Sequence, residues 1–256
     1  MGRKILFLDI DGTLLDVEDR RLPDSAVEAI RRARENGHLV YINSGRPYET
    51  IDVRLRSLGL DGFACACGCY IRVGDEVLFH QKLAIEHQRE LDLQVIYEGA
   101  ERVCFDASRP MDDHVKKEKA YFESMGIVAH EDPLAPDASF DKFVVWTKED
   151  TDMDRFYRVV SRWFDILDRE GTLLEMVPKG CTKGSAMDFL MARHGLTRAD
   201  CIAIGDGIND LPMLDNAGIS IAMGNSDPRI LDRVTYVTDT LRRDGIYKAF
   251  EHFGLI

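Results

Sequence analysis

Apolar runs without alternation and apolar stripes at helical spacing take turns along this chain, and they do so near both of its ends. Ile5-Leu6-Phe7-Leu8 is four apolar residues in a row, the pattern of a strand buried on both faces of a parallel sheet. Beyond it, Ala26, Ile30 and Ala33 keep one helical stripe. That helix starts near Pro23-Asp24-Ser25, with Ser25 and Glu28 at capping-box spacing, and stops at Gly37. Residues 38–43 read as a second buried strand. Pro47 opens a second helix, whose stripe is Ile51, Leu55 and Leu58. Strand, helix, strand, helix predicts an α/β fold built on a parallel sheet.

The middle breaks this rhythm. Residues 63–73 and 77–79 read as hairpin strands around Gly74-Asp75. Between residues 83 and 178 the pattern predicts helices mixed with separate strands. It gives a helix over 85–96, a strand over 102–106, a helix over 115–125 and a strand over 141–147. A long amphipathic helix follows over 152–168, carrying Phe156, Val159, Val160, Trp163 and Phe164, and then a strand over 173–177. Pro110, Pro133 and Pro136 punctuate the loops. The first rhythm then returns. A helix over 185–194 has Ser185 and Asp188 as its capping box and Gly195 as its stop, and 201–204 is a buried strand. A short helix ends near Gly218, strands follow at 219–223 and 236–237, and a helix over 247–253 closes the chain. The expected architecture is a Rossmann-like parallel-sheet core, helices on both faces, formed by residues 1–82 and 179–256. An α/β domain, 83–178, is inserted into it.

Composition narrows the classes. The 256 residues are 45% apolar and 30% charged, as in ordinary globular proteins. A net charge of −12 disfavours non-specific nucleic-acid or anionic-membrane binding, so neither is an expected partner, and an anionic substrate would need local cations. No apolar run approaches membrane-spanning length, and no cleavable signal precedes the first strand, so the expected location is cytoplasmic. The six cysteines are then expected as reduced thiols. Cys65, Cys67 and Cys69 alternate along a presumed strand and share a face, without a cysteine or histidine pair at structural-zinc spacing.

The candidate chemistry lies where strands end. Asp9 and Asp11 are two apart at the end of the first strand, on one side of it, and Gly12 turns the chain. Two acids in one small site cost free energy unless a cation or a shared proton relieves them. Ligands of open parallel sheets bind beyond the carboxyl ends of the strands, and three such ends carry polar clusters: 9–13, 44–46 and 206–210. If those strands are neighbours, Asp9, Asp11, Asp206 and Asp210 meet, and hard oxygen ligands with room for water suit Mg²⁺. Ser44 and the amides of Gly12 and Gly45 could bind phosphate oxygens. Lys183 begins a helix, where the dipole disfavours a cation, which suggests an anion nearby. Lys179 reads as a solvated lysine of the return linker. Arg46 stands open between a ligand contact and a surface or salt-bridged arginine.

Asp9-Ile10-Asp11-Gly12-Thr13, Ser44-Gly45-Arg46, Lys183-Gly184 and Gly205-Asp206-Gly207-Ile208-Asn209-Asp210 resemble, in order, the four signature motifs of the haloacid dehalogenase superfamily of phosphohydrolases. The insert between the second and third motifs is similar to the cap of the Cof-type (class IIB) branch. Ala222-Met223-Gly224-Asn225 and Asp244-Gly245-Ile246 match that branch as well, while Cys67-Gly68 stands where the family often has Asn-Gly. The resemblance implies a nucleophilic Asp9 forming an aspartyl-phosphate, with Asp11 as general acid and then general base. It implies Mg²⁺ on the Asp9 carboxylate, the Asp11 backbone carbonyl and Asp206, with Asp210 in support. Ser44 and Lys183 would bind the phosphoryl oxygens, and Asn209 would help orient the site. The implied substrates are small phosphate monoesters such as sugar phosphates or phosphorylated cofactors. A sugar-phosphate phosphomutase uses the same intermediate. A phospho-acceptor signalling domain also joins Asp, Mg²⁺ and Lys, but a built-in base at Asp11 would serve a lasting phospho-aspartate poorly.

Overall fold

A computed structural model of the chain describes residues 2–83, 93–106, 110–133, 139–168 and 171–256. In chain order the strands and helices are β1 (Ile5–Leu8), α1 (Asp24–Glu35), β2 (Leu39–Asn43), α2 (Val53–Arg56), β3 (Gly62–Cys65), β4 (Tyr70–Val73) and β5 (Glu76–His80). There follow β6 (Val95–Glu98), β7 (Val103–Phe105), α3 (Asp113–Ser124), β8 (Ala129–His130), β9 (Lys142–Trp146), α4 (Met153–Val160), β10 (Phe164–Asp168) and β11 (Leu173–Pro178). The last are α5 (Lys183–His194), β12 (Cys201–Gly205), α6 (Leu211–Leu214), β13 (Ile219–Ala222), β14 (Tyr236–Val237) and α7 (Gly245–His252). Contacts divide the chain into two units. One comprises Met1–Gly45, Asp52–Leu78 and Thr182–Ile256, the other Arg46–Ile51 and Phe79–Cys181.

The first unit is built on one sheet of order β14-β13-β12-β1-β2-β3-β4-β5. Its strands run parallel from β14 to β3, and β3 to β4 turns antiparallel. Every residue of β1, β2 and β12 is buried, as non-alternating apolar runs require. Helices α1 and α7 pack together, as do α5 and α6, with α1 against β2 and α6 against β12 and β13. The order reverses at β1: β2 and β3 lie to one side, β12 and β13 to the other. Such a reversal opens a crevice at the carboxyl ends of the strands.

Local chemistry corrects several sequence expectations here. Helix α1 starts at Asp24, with Pro23 rather than Ser25 in the cap position, and has no side-chain cap. Ser25 instead donates to Asp244 (2.6 Å) and Glu28 accepts from Arg31. Helix α5 starts at Lys183 under Thr182, whose hydroxyl accepts from the Ser185 amide (2.9 Å) while Ser185 Oγ accepts from the Thr182 amide (2.9 Å). Ser185 is therefore the third helical residue of the capping box rather than its cap, and Asp188 accepts from Asn216. Pro47 opens only a short 3-10 turn, and Asp52 caps the four-residue α2.

The presumed strand over 63–73 is broken by a turn at Ala66–Gly68, where φ is +49°, +54° and +92° in succession. Cys65, Cys67 and Cys69 therefore do not alternate along one strand. All six cysteines are buried thiols. The left-handed backbone at Cys67 is one that asparagine tolerates better than most side chains, a physical reason for Asn-Gly to be common there. The turn docks by a hydrogen bond from the Cys67 amide to Ser44 O (3.0 Å).

The second unit holds a sheet of order β10-β11-β9-β6-β7-β8. Side chains alternate between its two faces. Val95, Tyr97, Phe143, Val145, Leu174 and Met176 meet Phe156 and Val160 of α4; Ile96, Val103, Phe105 and Val144 meet Val115 and Phe122 of α3. Lys142 bridges Glu175 (2.7 Å) and Glu98 (3.2 Å), all three buried.

The long helix expected over 152–168 is a correction: α4 ends at Val160, and Phe164–Asp168 is a strand paired antiparallel with β11. Phe164 and Ile166 suit a strand's period of two, and pairing covers an edge that β11 would otherwise leave open. Residues 85–92 of the helix expected over 85–96 lie outside the described residues, as does Pro136, and Val95 and Ile96 belong to β6.

Candidate active site

Three neighbouring strands of the first unit end in the three polar clusters. Leu8 is level with Ile204 on one side and Ile42 on the other, so Asp9 leaves the sheet beside Gly205 and Asn43. The Asp9 amide continues the ladder by donating to Ile204 O (3.0 Å).

Lys183 comes from the first turn of α5. Its ammonium donates to Asp9 Oδ1 and Asp210 Oδ1, both at 2.5 Å, and the residue is 1% exposed. Asn43 Nδ2 donates to the Lys183 carbonyl (2.9 Å), tying the start of α5 to the end of β2. The other oxygen of Asp210 accepts the amides of Asp206 (2.9 Å) and Gly207 (3.0 Å), which closes the turn after β12. Thr13 Oγ1 donates to Asp206 Oδ1 (3.0 Å).

These residues are poorly solvated, and their proton affinities respond. Burial, reinforced by Asp210 and Asp11 and opposed by Lys183, pushes Asp9 up to about 7. Burial, with Asp9 and Asp210, pushes Asp206 up to about 8. For Lys183, burial works against the charged form, but Asp210 and Asp9 outweigh it and hold the ammonium protonated.

Asp9, Asp206 and Asp210 each offer a carboxylate oxygen, and these lie within 4.8 Å of one another. When all three are ionised, three carboxylates against one ammonium leave two negative charges in excess, which one divalent cation would balance. The all-oxygen donor set suits a hard divalent cation such as Mg²⁺. The residues present therefore fit the metal.

Glycine is required at two places. Gly12 has φ +81°, and a Cβ there would lie 2.6 Å from the Asp206 carboxyl carbon. At Gly205 a Cβ would meet the Asp210 carboxylate at 2.5 Å. The carboxylates approach the backbone so closely that any side chain would displace them.

Other expectations meet different geometry. The Gly12 amide, expected to face phosphate, donates to Leu15 O (2.8 Å) and is spent inside its own turn. The carboxylate of Asp11 lies outside the convergent group of three and accepts from Arg20 Nη1 (3.0 Å). Ser44 and Gly45 are buried past the end of β2, where Ser44 N donates to Ala64 O (2.9 Å). Arg46 belongs to the second unit, with Nη2 3.3 Å from the Tyr121 hydroxyl. Asn209 is half-buried in the short turn Ile208–Asp210. Lys179 is exposed.

Thr13, Asn43, Arg20 and Asn225 carry contacts that sequence reasoning did not assign. Asn225 Nδ2 donates to the Gly12 carbonyl (2.8 Å), and its Oδ1 accepts the Leu241 amide (3.0 Å). An asparagine in a glycine turn directly after a buried strand was the available signal for it.

Comparison with known proteins agrees with this arrangement. Residues 6–250 match the family model for haloacid dehalogenase-like hydrolases. A putative phosphatase of Bacillus subtilis, YkrA, is 27% identical over all of both chains. The 5-amino-6-(5-phospho-D-ribitylamino)uracil phosphatase YcsE of the same organism is 28% identical, covering 98% of this chain and 96% of its own. The solved subclass IIB sugar phosphatase BT4131 superposes with a TM-score of 0.81 at 26% identity, over 99% of this chain and 100% of its own. With strand order, converging acids and family model in agreement, the chain belongs to the haloacid dehalogenase superfamily and is a phosphatase of its Cof-type, subclass IIB branch.

Proposed function

We propose that the chain is a Mg²⁺-dependent phosphatase of small phosphate monoesters, working through an aspartyl-phosphate. The observation that carries this reading is the Lys183 ammonium lying between Asp9 and Asp210, with Asp206 in the same group of carboxylates. An oxygen of Asp9 attacks phosphorus, the ester P–O bond breaks, and Asp11 gives its proton to the departing alkoxide. Water then attacks the aspartyl-phosphate, Asp11 takes the water's proton, and the Asp9–phosphorus bond breaks to release phosphate. Lys183 and Ser44 hold phosphoryl oxygens, and Lys183 also keeps Asp9 ionised for attack. Mg²⁺, held by Asp9, Asp206 and the Asp11 carbonyl with Asp210 in support, would neutralise phosphoryl charge. Residues 1–82 and 179–256 form the catalytic core in this reading, and 83–178 the cap that selects the leaving group.

Sugar phosphates and phosphorylated cofactors are the proposed substrates. Support comes from the relatives named above, one a sugar phosphatase and one acting on a phosphoribitylamino-uracil. The test is phosphate release from a panel of such esters, with Mg²⁺ and with EDTA. Release should require the metal and fall by roughly 10³-fold or more in Asp9→Asn. Full release by Asp9→Asn, or by the EDTA-treated protein, would refute the reading.

A further inference from the structure

The strongest unexplained feature near the site is the turn over residues 16–21, which delivers an arginine to Asp11. Arg20 has φ +58°, a left-handed backbone that arginine rarely adopts. The turn is pinned on every side. Asp16 N donates to Arg21 O and Arg20 N to Asp16 O, both at 3.0 Å. Arg242 grips the Asp16 carboxylate through Nε (2.5 Å) and Nη2 (3.1 Å). The Arg20 carbonyl accepts from Arg54 Nη2 (2.8 Å), and Arg54 is itself held by Asp52. This scaffolding presents the Arg20 guanidinium to Asp11, Nη1 to Oδ1 at 3.0 Å. An ion pair this exposed contributes less stability than a left-handed arginine costs. Stability alone therefore does not account for the device.

We propose that Arg20 is a positioning residue, fixing the carboxylate of Asp11 for proton transfer. The inference rests on the phosphatase reading above, in which Asp11 shuttles the proton. Asp11 is short, about one-third exposed and outside the carboxylate group that Lys183 holds together. Its torsion is set by its partners, and an ångström of misplacement costs about 10²-fold in rate. The proton is needed twice: by the leaving alkoxide, and then in reverse, when water loses one while attacking the aspartyl-phosphate. A nitrophenolate leaves without a proton, so an aryl ester removes the first need and keeps the second.

The experiment compares Arg20→Asn, whose side chain suits the left-handed backbone, with Arg20→Lys and the unaltered protein. Substrates are p-nitrophenyl phosphate and glycerol phosphate. With the nitrophenyl ester, Arg20→Asn should form the phospho-enzyme at the normal rate and hydrolyse it about 10–100-fold more slowly, giving a burst of nitrophenolate before steady state. With glycerol phosphate, kcat/KM should fall by a similar factor. Arg20→Lys should recover part of both. A merely structural turn would lower both substrates in proportion, with no burst, and that result overturns the inference. Phosphate release by Asp9→Asn, or an unaltered protein silent on both esters, would instead remove the phosphatase reading, and the inference with it.

Discussion

Lys183→Met is the most direct probe of the site, because it keeps an unbranched side chain, one atom shorter, and removes its charge. The ammonium is 1% exposed and holds Asp9 and Asp210 together by two charge-assisted hydrogen bonds. Deleting one partner of a buried ion pair costs about 3–5 kcal/mol, since the charge left behind has no compensation. Asp210 keeps two backbone donors on its other oxygen, so most of the loss falls on Asp9. The cost must depend on pH. Asp9 titrates at about 7 in the fold against an ordinary 3.8. The folded state therefore binds the proton more tightly, and stability is present at low pH and lost as pH rises through about 7. Lys183 is the cation that opposes this shift, so its removal makes the loss larger. Because Asp9 can take up a proton instead of staying charged, linkage limits the cost to about 1–2 kcal/mol near pH 8, with less than half of that near pH 5.5, in metal-free protein. Both tryptophans, Trp146 and Trp163, lie in the other unit, so fluorescence is the wrong readout. Amide hydrogen exchange in β1, β2 and β12 against urea reports the affected unit directly. A cost under about 1 kcal/mol at both pH values would mean that the ammonium is not buried between two carboxylates, and would refute the reasoning.

Two further outcomes follow from the same geometry. On the proposed reading Mg²⁺ would compete with protons for Asp9 and Asp206, which burial pushes up to about 7 and about 8. The Mg²⁺-induced rise in Tm should therefore shrink as pH falls below about 7, and Asp206→Asn should abolish most of it; a rise that is independent of pH would contradict the shared site. Gly12→Ala would force a Cβ against the Asp206 carboxylate at a positive φ. It should cost about 1–3 kcal/mol in denaturant unfolding and weaken Mg²⁺ binding in calorimetry, whereas unchanged metal affinity would show that the turn has room to spare.

The strands of the parallel sheet were legible because burial on both faces leaves an unmistakable run, as at Ile5–Leu8 and Cys201–Gly205. The lysine was legible for a different reason: a cation at a helix start is locally wrong, and only an anion explains it. Elsewhere local pattern was ambiguous. Phe164 and Ile166 fit either the end of a helix or an edge strand, and β11, the partner, decided between them. Capping at Thr182 rather than Ser185 turned on where the backbone leaves its extended conformation, which side-chain spacing does not encode.

Sequence alone therefore determined which residue types end which strands, since each motif sits next to the apolar run that carries it. It also determined that an acidic chain would need a cation at any anion site. Tertiary structure decided the rest. It selected Asp9, Asp206 and Asp210 as the convergent set, gave Asp11 to Arg20, assigned Arg46 to the second unit and spent the Gly12 amide on Leu15. The reason is physical. Buriedness and strand polarity are properties of a segment. Which of several equivalent carboxylates or amides meets a given partner depends on strand order and turn geometry, and those are fixed only when segments distant in sequence pack together.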